Sequence, residues 1–455
     1  MDIFDVGIIG GGPGGYTAAQ KSGGAGLKTV VFEEKEMGGV CLNEGCIPSK
    51  SLLYSAKVLS SAQNAKNFGV IIEGKPSIDQ AAIIRRKNQV VNRLVLGVKA
   101  SVKASGALTV AGRAKITAKQ KEGFIIECKG EYFCKNVIVA TGSVSLIPSI
   151  KGVEEGLQSG FVLTNREILN LTELPQSLAV LGGGVIGLEM ASYYAAAGVP
   201  VKVIEMLPRI ANPLDLTIAN ALQKALEEKG IEFILSAKVI EVGEGNIKYF
   251  KDGQENRLDC GKVLLSVGRR PNAIGIGLEE LGVVFGRGNV KTDEKMQTNI
   301  TGVYAVGDCN GKIMLAHAAA REAEVAVNDI LGVADAMKYN AIPSVIYSSP
   351  EVGSVGLTQE QAAEKGIAVD IIELPLTYSG RYVAENVKMR GIAKAIVDKK
   401  NNKLLGFHAM GDYASEFIAQ AGNLIDLETD LESIKHLVFP HPTVCEIFKE
   451  ITHKF

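Results

Sequence analysis

Cys41 and Cys46 are separated by four residues within the string GGVCLNEGCIPSK at 38–50. Two thiols at this spacing can close a small loop if the backbone bends, and Gly45 permits the bend. Thiol–disulfide chemistry needs one accessible attacking thiol and one thiolate that its surroundings stabilise. A metal site needs three or four ligands, and no second Cys or His pair has a matching spacing. Taken alone, the pair is consistent with either redox chemistry or two inert buried thiols.

A glycine-rich loop lies ahead of the cysteines and favours the redox interpretation. A strand predicted over residues 5–9 leads into it, a helix follows, and a strand predicted over 29–33 ends on Glu33. This is the G-x-G-x-x-G fingerprint of a βαβ dinucleotide site, in which the acid takes a ribose hydroxyl. A redox ring bound there could reach the cysteine pair. The fingerprint glycines are Gly10, Gly12 and Gly15.

The same arrangement recurs near the middle of the chain. A strand predicted over 177–181 leads into a second fingerprint, and the strand after the helix ends on Glu205. In both copies the acid lies 23 positions after the first glycine, which favours Glu33 over Glu34 for the ribose. One fingerprint is weak evidence, but two copies with one offset predict two bound dinucleotides on two α/β domains. The second set of glycines is Gly182, Gly184 and Gly187.

Glu205 also bears on which nucleotide binds the second copy. A carboxylate at this position accepts a hydrogen bond from a ribose 2′-hydroxyl and repels a 2′-phosphate, whereas NADP sites place an arginine nearby. Lys202 is a candidate cation, but as a strand residue it could equally point elsewhere. The sequence therefore favours NAD.

Composition excludes several classes of protein. The chain has 455 residues, which predicts about three domains. Its 49 Lys and Arg balance 50 Asp and Glu, so we expect no nucleic-acid partner. No export signal or continuous apolar run of ~18 residues is present, and seven Cys do not suggest a disulfide scaffold, so we expect a cytoplasmic protein without a membrane span. The basic cluster at 85–87 is interpreted as a solvated helix face.

The last part of the chain has a different pattern. Beyond about residue 338 no nucleotide fingerprint occurs, and strands near 391–397 and 404–408 predict an antiparallel hairpin. A histidine beside a cysteine pair can take a thiol proton, although a lone histidine is more often structural. Of five histidines, His441 alone combines a proline-started helix with a carboxylate about one turn on, Glu446.

Several strings together resemble the flavoprotein disulfide reductases, and the resemblance covers essentially the whole chain in order. The strings are GGVCLNEGCIPSK at 38–50, ATGS at 140–143, GGGVIGLE at 182–189, GDC at 307–309, LAHAA at 315–319 and HPTVCE at 441–446. The resemblance implies an α/β fold with two Rossmann-like dinucleotide-binding domains, for FAD and NAD, and a C-terminal α+β dimerisation domain. The implied segments are 1–144 (FAD, first part), 145–267 (NAD), 268–338 (FAD, second part) and 339–455 (dimerisation).

Within that family the chain is most similar to the branch that oxidises protein-bound dihydrolipoamide and reduces NAD⁺. The resemblance implies tightly but non-covalently bound FAD, no metal, and a homodimer whose active site is shared between subunits. A lipoyl-bearing acyltransferase or lipoyl carrier protein would be the partner, in a 2-oxoacid dehydrogenase or glycine cleavage complex. We expect the lipoyl group to arrive on another protein, because the chain starts close to the first predicted strand.

The resemblance also implies roles for individual residues. Cys41 would exchange with the lipoyl disulfide, and Cys46 would face the flavin as a thiolate. His441, oriented by Glu446, would serve the partner subunit's disulfide as acid–base catalyst. Lys50 and Glu189 would pair beside the flavin ring. The implied FAD residues are Gly10, Gly12, Gly15, Glu33, Lys50, Ala114, Thr141, Gly142, Ser143, Asp308, Met314, Leu315, Ala316 and His317. The implied NAD residues are Gly182, Gly184, Val185, Ile186, Gly187, Glu189, Glu205, Val239 and Gly268.

Two alternatives remain open. A sibling reductase acting on glutathione disulfide or mercuric ion is the nearest, although glutathione-type enzymes favour NADPH and mercuric reductases end in a vicinal Cys pair. The other is a flavin-binding sensor without turnover. Glu44 and Cys445 depart from the family pattern, and each adds a titratable group close to an expected catalytic residue.

Overall fold

The computed structural model describes residues 2–388 and 390–454. The strands are β1 (Asp2–Ile9), β2 (Thr29–Glu33), β3 (Leu108–Ala111), β4 (Lys115–Gln120), β5 (Gly123–Glu127), β6 (Glu131–Val139), β7 (Ser143–Ser145), β8 (Val162–Leu163), β9 (Leu178–Leu181), β10 (Val201–Ile204), β11 (Ile231–Ile234), β12 (Lys238–Gly243), β13 (Asn246–Lys251), β14 (Gln254–Asp259), β15 (Lys262–Leu265), β16 (Arg269–Pro271), β17 (Val303–Ala305), β18 (Ser344–Ile346), β19 (Val352–Gly356), β20 (Val369–Pro375), β21 (Ile392–Asp398) and β22 (Leu404–Met410).

The helices are α1 (Pro13–Gly24), α2 (Gly39–Asn43), α3 (Cys46–Asn64), α4 (Gln80–Ala104), α5 (Val153–Ser159), α6 (Asn165–Ile168), α7 (Val185–Ala196), α8 (Leu216–Glu227), α9 (Ala316–Ile330), α10 (Gln359–Glu364), α11 (Gly380–Glu385), α12 (Ala414–Asp426), α13 (Leu431–Lys435) and α14 (Ile447–Thr452). Within the described part of the chain, none of these helices is long and apolar enough to cross a membrane.

One compact unit comprises residues 2–51, 84–146 and 268–338. Its main sheet has the order β3-β2-β1-β6-β5-β4, and β17 also pairs with β6. The pairs β3-β2, β2-β1, β1-β6 and β6-β17 are parallel, so their carboxyl ends meet at one edge of the sheet. The strand β1 is buried from Val6 to Ile9, as expected for a central strand of a parallel sheet. The loops after β1, β6 and β17 therefore lie at the edge where ligands of open α/β sheets bind.

The second unit comprises residues 52–83, 147–267 and 339–454. A parallel sheet of order β11-β10-β9-β15-β8 carries the second fingerprint, and β9 lies between β10 and β15. A separate antiparallel sheet has the order β12-β13-β14. Both predicted βαβ units are thus present, which confirms the predicted α/β class. The exact domain boundaries stay a prediction.

The C-terminal part of the second unit is an antiparallel sheet of order β18-β19-β22-β21-β20. The predicted hairpin is confirmed, because β21 and β22 pair antiparallel. The core against this sheet includes Phe407, Phe417 and Phe448, whose rings lie 4.6 to 6.3 Å apart between centroids. This α+β part is the one that places His441 and Glu446.

The prediction that residues 85–87 form a solvated helix face is wrong for Lys87. Arg85 and Arg86 are exposed, but Lys87 is only 3% exposed, and burial lowers the pKa of its ammonium group. The cluster lies on the 25-residue helix α4, where consecutive side chains point about 100° apart. One of three successive residues therefore faces inward, whatever the local charge pattern suggests.

His408 is expected to make the stability of the second unit depend on pH. It is fully buried, with Nδ1 2.6 Å from Ser354 Oγ and Nε2 2.9 Å from the Leu357 carbonyl. A carbonyl only accepts, so Nε2 carries the proton and Nδ1 accepts from Ser354, which leaves the ring neutral. Burial lowers the pKa of His408 below its usual 6.5. The Lys394 ammonium acts in the same direction, whereas the Leu357 carbonyl and the Asp215 and Glu360 carboxylates oppose it without reversing it.

Because the unfolded chain binds this proton more readily, the stabilisation is present above pH 6.5 and is lost as the pH falls below it. We expect the free energy of unfolding to fall by up to about 1.4 kcal/mol per pH unit from this site. Denaturant unfolding at pH 5.5 and 7.5 measures the effect as the difference between wild type and His408→Gln. His436→Gln, at a side chain 76% exposed, is the control. Equal slopes for wild type and His408→Gln would contradict the prediction.

Candidate active site

The first fingerprint forms a tight loop between β1 and α1. Gly10 has φ +106°, and a β-carbon there would lie 2.3 Å from the Ala140 carbonyl oxygen. A β-carbon at Gly15 would lie 1.8 Å from the Gly10 carbonyl oxygen, so helix and loop pack too closely for any side chain. The Glu33 carboxylate accepts from the Gly11 amide at 2.6 Å and from the Lys35 amide at 2.8 Å. The acid is therefore fixed beside the loop.

The second fingerprint repeats this geometry between β9 and α7. Gly182 has φ +102°, and a β-carbon at Gly187 would lie 2.3 Å from the Gly182 carbonyl oxygen. The Glu205 carboxylate accepts from the Gly183 amide at 2.6 Å and from the Leu207 amide at 2.7 Å. The equal offset in sequence thus corresponds to the same hydrogen-bond pattern in space.

The surroundings of the first loop fit a dinucleotide such as FAD. Among residues 2–388 and 390–454, Thr141 Oγ1 is one of three buried side-chain oxygens that lack a hydrogen-bond partner. At Gly142, with φ +68°, a β-carbon would meet no described heavy atom within 4 Å. The Ser143 hydroxyl donates to Asp308 at 2.5 Å across this opening. Helix α9 starts directly after Met314 and Leu315, and the N-terminus of a helix favours a negatively charged group.

The second loop likewise fits a nucleotide. A β-carbon at Gly184 or at Gly268 would meet no described atom within 4 Å, and Gly268 has φ +127°. At the start of α7, Val185 and Ile186 are 45% and 36% exposed, an unusual degree for apolar side chains next to a buried sheet. Both observations fit residues that a ligand would cover.

Lys202, the candidate NADP-binding cation, is engaged elsewhere. Its Nζ lies 2.7 Å from Glu232 Oε2, and the two residues are register neighbours on β10 and β11. Neither β10 nor β11 therefore supplies an arginine or lysine that balances the negative charge of Glu205. The geometry agrees with the preference for NAD.

Cys41 and Cys46 lie on two consecutive helices with a turn at Gly45 between them. Cys41 is in the short helix α2, and Cys46 is the first residue of the 19-residue helix α3. Both are half-buried. The amides and dipole at a helix N-terminus favour negative charge, so α3 favours a thiolate at Cys46.

The surroundings of Cys41 favour its protonated form. The hydrogen bond to Cys46 raises the pKa of the Cys41 thiol, and burial, the Cys46 charge and the Asp308 charge raise it further, whereas Lys50 lowers it. Cys41 thus keeps its proton and donates to Cys46. Burial raises the pKa of Tyr16, and negative charge on the same two cysteines raises it further. The structure therefore brings Cys41, Cys46, Lys50 and Asp308 together, with Tyr16 beside them.

His441 and Glu446 form a pair in the C-terminal part. His441 Nδ1 lies 2.9 Å from Glu446 Oε1, and Glu446 Oε2 accepts from the Thr443 amide at 2.9 Å. The Thr443 amide and His441 hold the pKa of the Glu446 carboxyl below its usual range. The His441 side chain is 78% exposed. With Nδ1 donating to the carboxylate, Nε2 is the ring nitrogen left for another partner, and the role of His441 as a base stays a prediction.

The comparisons with known proteins agree with this geometry. Residues 4–323 match the family described as pyridine nucleotide-disulphide oxidoreductase, and residues 342–452 match its dimerisation domain. The chain belongs to this family. It is therefore an oxidoreductase that carries a dimerisation domain.

Individual oxidoreductases of the family are similar over their whole length. A dihydrolipoyl dehydrogenase of Rhizobium etli is 37% identical, over 99% of this chain and 97% of that protein. The structure of LpdA from Mycobacterium tuberculosis has a TM-score of 0.89 at 25% identity, covering 100% of this chain and 99% of the other. The Cu(II) complex of RclA, an HOCl-induced flavoprotein disulfide reductase from Escherichia coli, has a TM-score of 0.86 at 26% identity, covering 100% of both chains.

The remaining predicted site residues have these environments in the oxidoreductase. Glu189 is 4% exposed and accepts from the Tyr347 amide at 3.0 Å; its pairing with Lys50 stays a prediction. Ala114 is buried in the core of the first unit, and Val239 packs against the core of the second. Ala316 and His317 form the first turn of α9. The roles of all these residues stay predictions.

Two residues of the oxidoreductase site escaped the sequence reasoning. Arg269 donates from Nε to Ser143 Oγ and from Nη2 to the Ser143 carbonyl, each at 2.8 Å. Arg269 directly follows Gly268, just past a strand. It could have been found from the rule that ligands of open α/β sheets lie outside the carboxyl ends of the strands. Tyr16 directly follows Gly15, but nothing in the sequence indicates that it faces the thiols.

Proposed function

We propose that this chain is an FAD-dependent enzyme that oxidises protein-bound dihydrolipoamide and reduces NAD⁺. The observation that carries the proposal is the cysteine pair: Cys46 at the N-terminus of α3, hydrogen-bonded by the Cys41 thiol, in the same unit as the first nucleotide loop. The similarity to dihydrolipoyl dehydrogenases over nearly the whole chain supports the choice of substrate.

Dithiol oxidation begins at Cys41 of the disulfide form. The first substrate thiol gives its proton to His441 Nε2, and its sulfur attacks Cys41 Sγ. The Cys41–Cys46 bond breaks, and Cys46 leaves as a thiolate because the α3 N-terminus favours negative charge there. Glu446 keeps the protonated imidazole in place, since its carboxylate lies on Nδ1.

The second substrate thiol then attacks the substrate sulfur that is bound to Cys41. The substrate leaves as a cyclic disulfide, the proton of the second thiol passes to the departing Cys41 sulfur, and His441 releases the first proton to water. The product state has a Cys41 thiol and a Cys46 thiolate, which is the distribution that the raised Cys41 pKa favours. When bound, FAD would supply a two-electron acceptor between the thiol pair and NAD⁺, and oxidation of the pair would restore the Cys41–Cys46 disulfide.

Residues for the cofactors follow from the two loops. FAD would be held by the first glycine loop with Glu33, by Thr141, Ser143 and Asp308, and by the start of α9. NAD would be held by the second loop with Glu205. The dimerisation domain supports a homodimer, and we propose that His441 of one subunit serves the cysteine pair of the other. The lipoyl group would arrive on an acyltransferase or a carrier protein, in the cytoplasm.

The deciding experiment is NAD⁺ reduction by the FAD-loaded protein with dihydrolipoamide as donor. We expect saturable NADH formation, and much slower formation with NADP⁺. Reduction of glutathione disulfide with NADPH, or of Cu(II), in the absence of dihydrolipoamide activity would overturn the substrate assignment. Bound FAD without any turnover would indicate the sensor alternative.

Glu205→Gln should weaken the preference for NAD⁺ over NADP⁺. A hydrogen bond to a charged group contributes about 1.5–3 kcal/mol, so we expect the ratio of kcat/KM values for the two nucleotides to fall roughly 10- to 100-fold. Steady-state kinetics with both nucleotides measures the ratio. Glu232→Gln, which removes only the partner of Lys202, is the matched control and should leave kcat/KM for NAD⁺ close to wild type. An unchanged ratio in Glu205→Gln would refute the role of this carboxylate.

A further inference from the structure

Glu322 is a fully buried carboxylate for which the proposed mechanism has no use. It lies on α9, beyond the residues expected to line FAD, the last of which is His317, and is 0% exposed. Its Oε2 accepts from the Gly307 amide at 2.6 Å and from Asn310 Nδ2 at 2.8 Å. A buried charge is costly unless hydrogen bonds satisfy it, so its presence needs a reason.

Both donors belong to the 3-10 turn Gly307–Asn310, which follows β17 and contains Asp308. Gly307 has φ +75°, and a β-carbon there would lie 3.1 Å from the Ala319 side chain on α9. Asn310 is 1% exposed, and its carbonyl accepts from Asn289 Nδ2 at 2.7 Å. The turn is therefore fastened to α9 at its first and last residues.

Asp308 lies between these two fastened residues and points the other way. Its carboxylate accepts from Ser143 Oγ at 2.5 Å, and Arg269 donates to the same hydroxyl. Cys309, the next residue, is fully buried, with Sγ 3.2 Å from the Val306 carbonyl oxygen. The direction of Asp308 is thus fixed by how the turn is held, and Glu322 holds it from within the protein.

We propose that Glu322 is a positioning residue of the flavin site: its buried carboxylate sets the Gly307–Asn310 turn and so aims Asp308, and its charge lowers the reduction potential of bound FAD. The proposal rests on the FAD site of the proposed function. A fixed negative charge in a buried environment opposes the addition of electrons nearby, because the lower effective dielectric constant of the interior makes Coulomb interactions stronger than in water.

Glu322→Gln tests both parts in the FAD-loaded protein, since it removes the charge and disturbs the two hydrogen bonds. We expect the equilibrium between oxidised and reduced FAD to shift about tenfold towards the reduced form, which is about 30 mV for a two-electron couple. We also expect FAD to dissociate about tenfold faster, the scale of one hydrogen bond to a charged group. Dye-coupled redox titration and fluorescence of released FAD measure the two effects.

Glu324→Gln is the matched control, because Glu324 lies on the same helix with its side chain 45% exposed and pairs with Arg321. It should behave as wild type. If Glu322 had only a structural role, Glu322→Gln would lower the melting temperature but would not change the reduction potential of the FAD that stays bound. An unchanged potential in Glu322→Gln, or an equal change in Glu324→Gln, therefore overturns the proposal.

Asn310→Ala decides the positioning part if Glu322→Gln cannot be loaded with FAD. It keeps the Glu322 charge and the Gly307 hydrogen bond and removes one tether. Faster FAD release supports the positioning role, and release at the wild-type rate overturns it. The wild-type potential is measured without dihydrolipoamide, so failure of the substrate assignment would leave this test intact. Wild-type protein that binds no FAD would instead refute the proposed function.

Discussion

Replacing Cys46 with serine should abolish oxidation of dihydrolipoamide while FAD stays bound. Serine cannot form the disulfide that receives the substrate electrons. Its hydroxyl also loses a proton far less readily than a thiol does at the start of α3. We expect kcat for NAD⁺ reduction to fall by roughly 10⁴-fold or more, as on removal of other covalent nucleophiles. Stopped-flow and steady-state assays with the purified holoenzyme measure the loss, and the FAD absorbance reports cofactor content.

Two other cysteine variants make this result specific. Cys41→Ser should also lose turnover, yet it keeps the Cys46 thiolate and should show a long-wavelength thiolate–flavin band that Cys46→Ser lacks. Cys445→Ser is the matched control, because Cys445 is half-buried like the pair but packs against the C-terminal core. It should retain near wild-type turnover. Dithiol-dependent NADH formation by Cys46→Ser would remove the central role of the pair.

The parts of the site that sequence predicts well are those that local geometry determines. Gly10 and Gly182 are required because a β-carbon at either position would collide with a backbone carbonyl, and such positions recur at fixed spacing. The equal offset chose Glu33 over Glu34, and Glu33 does accept a hydrogen bond from its loop. The turn between Cys41 and Cys46 is equally local. Each of these features lies within one βαβ unit or one helix–turn–helix segment.

The parts that sequence could not supply depend on contacts between distant residues. Arg269 reaches Ser143 across 126 positions of the chain, through the pairing of β7 with β16. The orientation of Lys87 depends on which side of α4 is covered, which no charge pattern specifies. Glu322 looks like an ordinary helix-surface acid next to Glu324, and only the fold distinguishes the buried residue from the exposed one. Positioning residues are the hardest to predict because their function lies in what they touch.

His441→Ala should impair dithiol oxidation selectively. Without a base the first substrate thiol must ionise in solution, and general acid–base catalysis of this kind contributes about 10²–10⁴-fold in rate. We expect kcat/KM for dihydrolipoamide to fall by that factor, whereas reduction of the oxidised enzyme by NADH, which needs no substrate thiol, should keep its rate. Steady-state kinetics with the dithiol and stopped-flow reduction with NADH measure the two halves separately.

The geometry of the pair adds two controls to this last prediction. His436→Ala removes an equally exposed histidine, paired with Glu432 at 3.3 Å, and should leave dithiol oxidation unchanged. Glu446→Gln keeps a hydrogen-bonding side chain beside His441 but removes the carboxylate that stabilises the imidazolium. We expect kcat/KM for dihydrolipoamide to fall, because an amide cannot balance the positive charge that the ring gains when it takes the thiol proton. Normal dithiol kinetics in His441→Ala, or an unchanged kcat/KM for the dithiol in Glu446→Gln, would show that another group carries the proton.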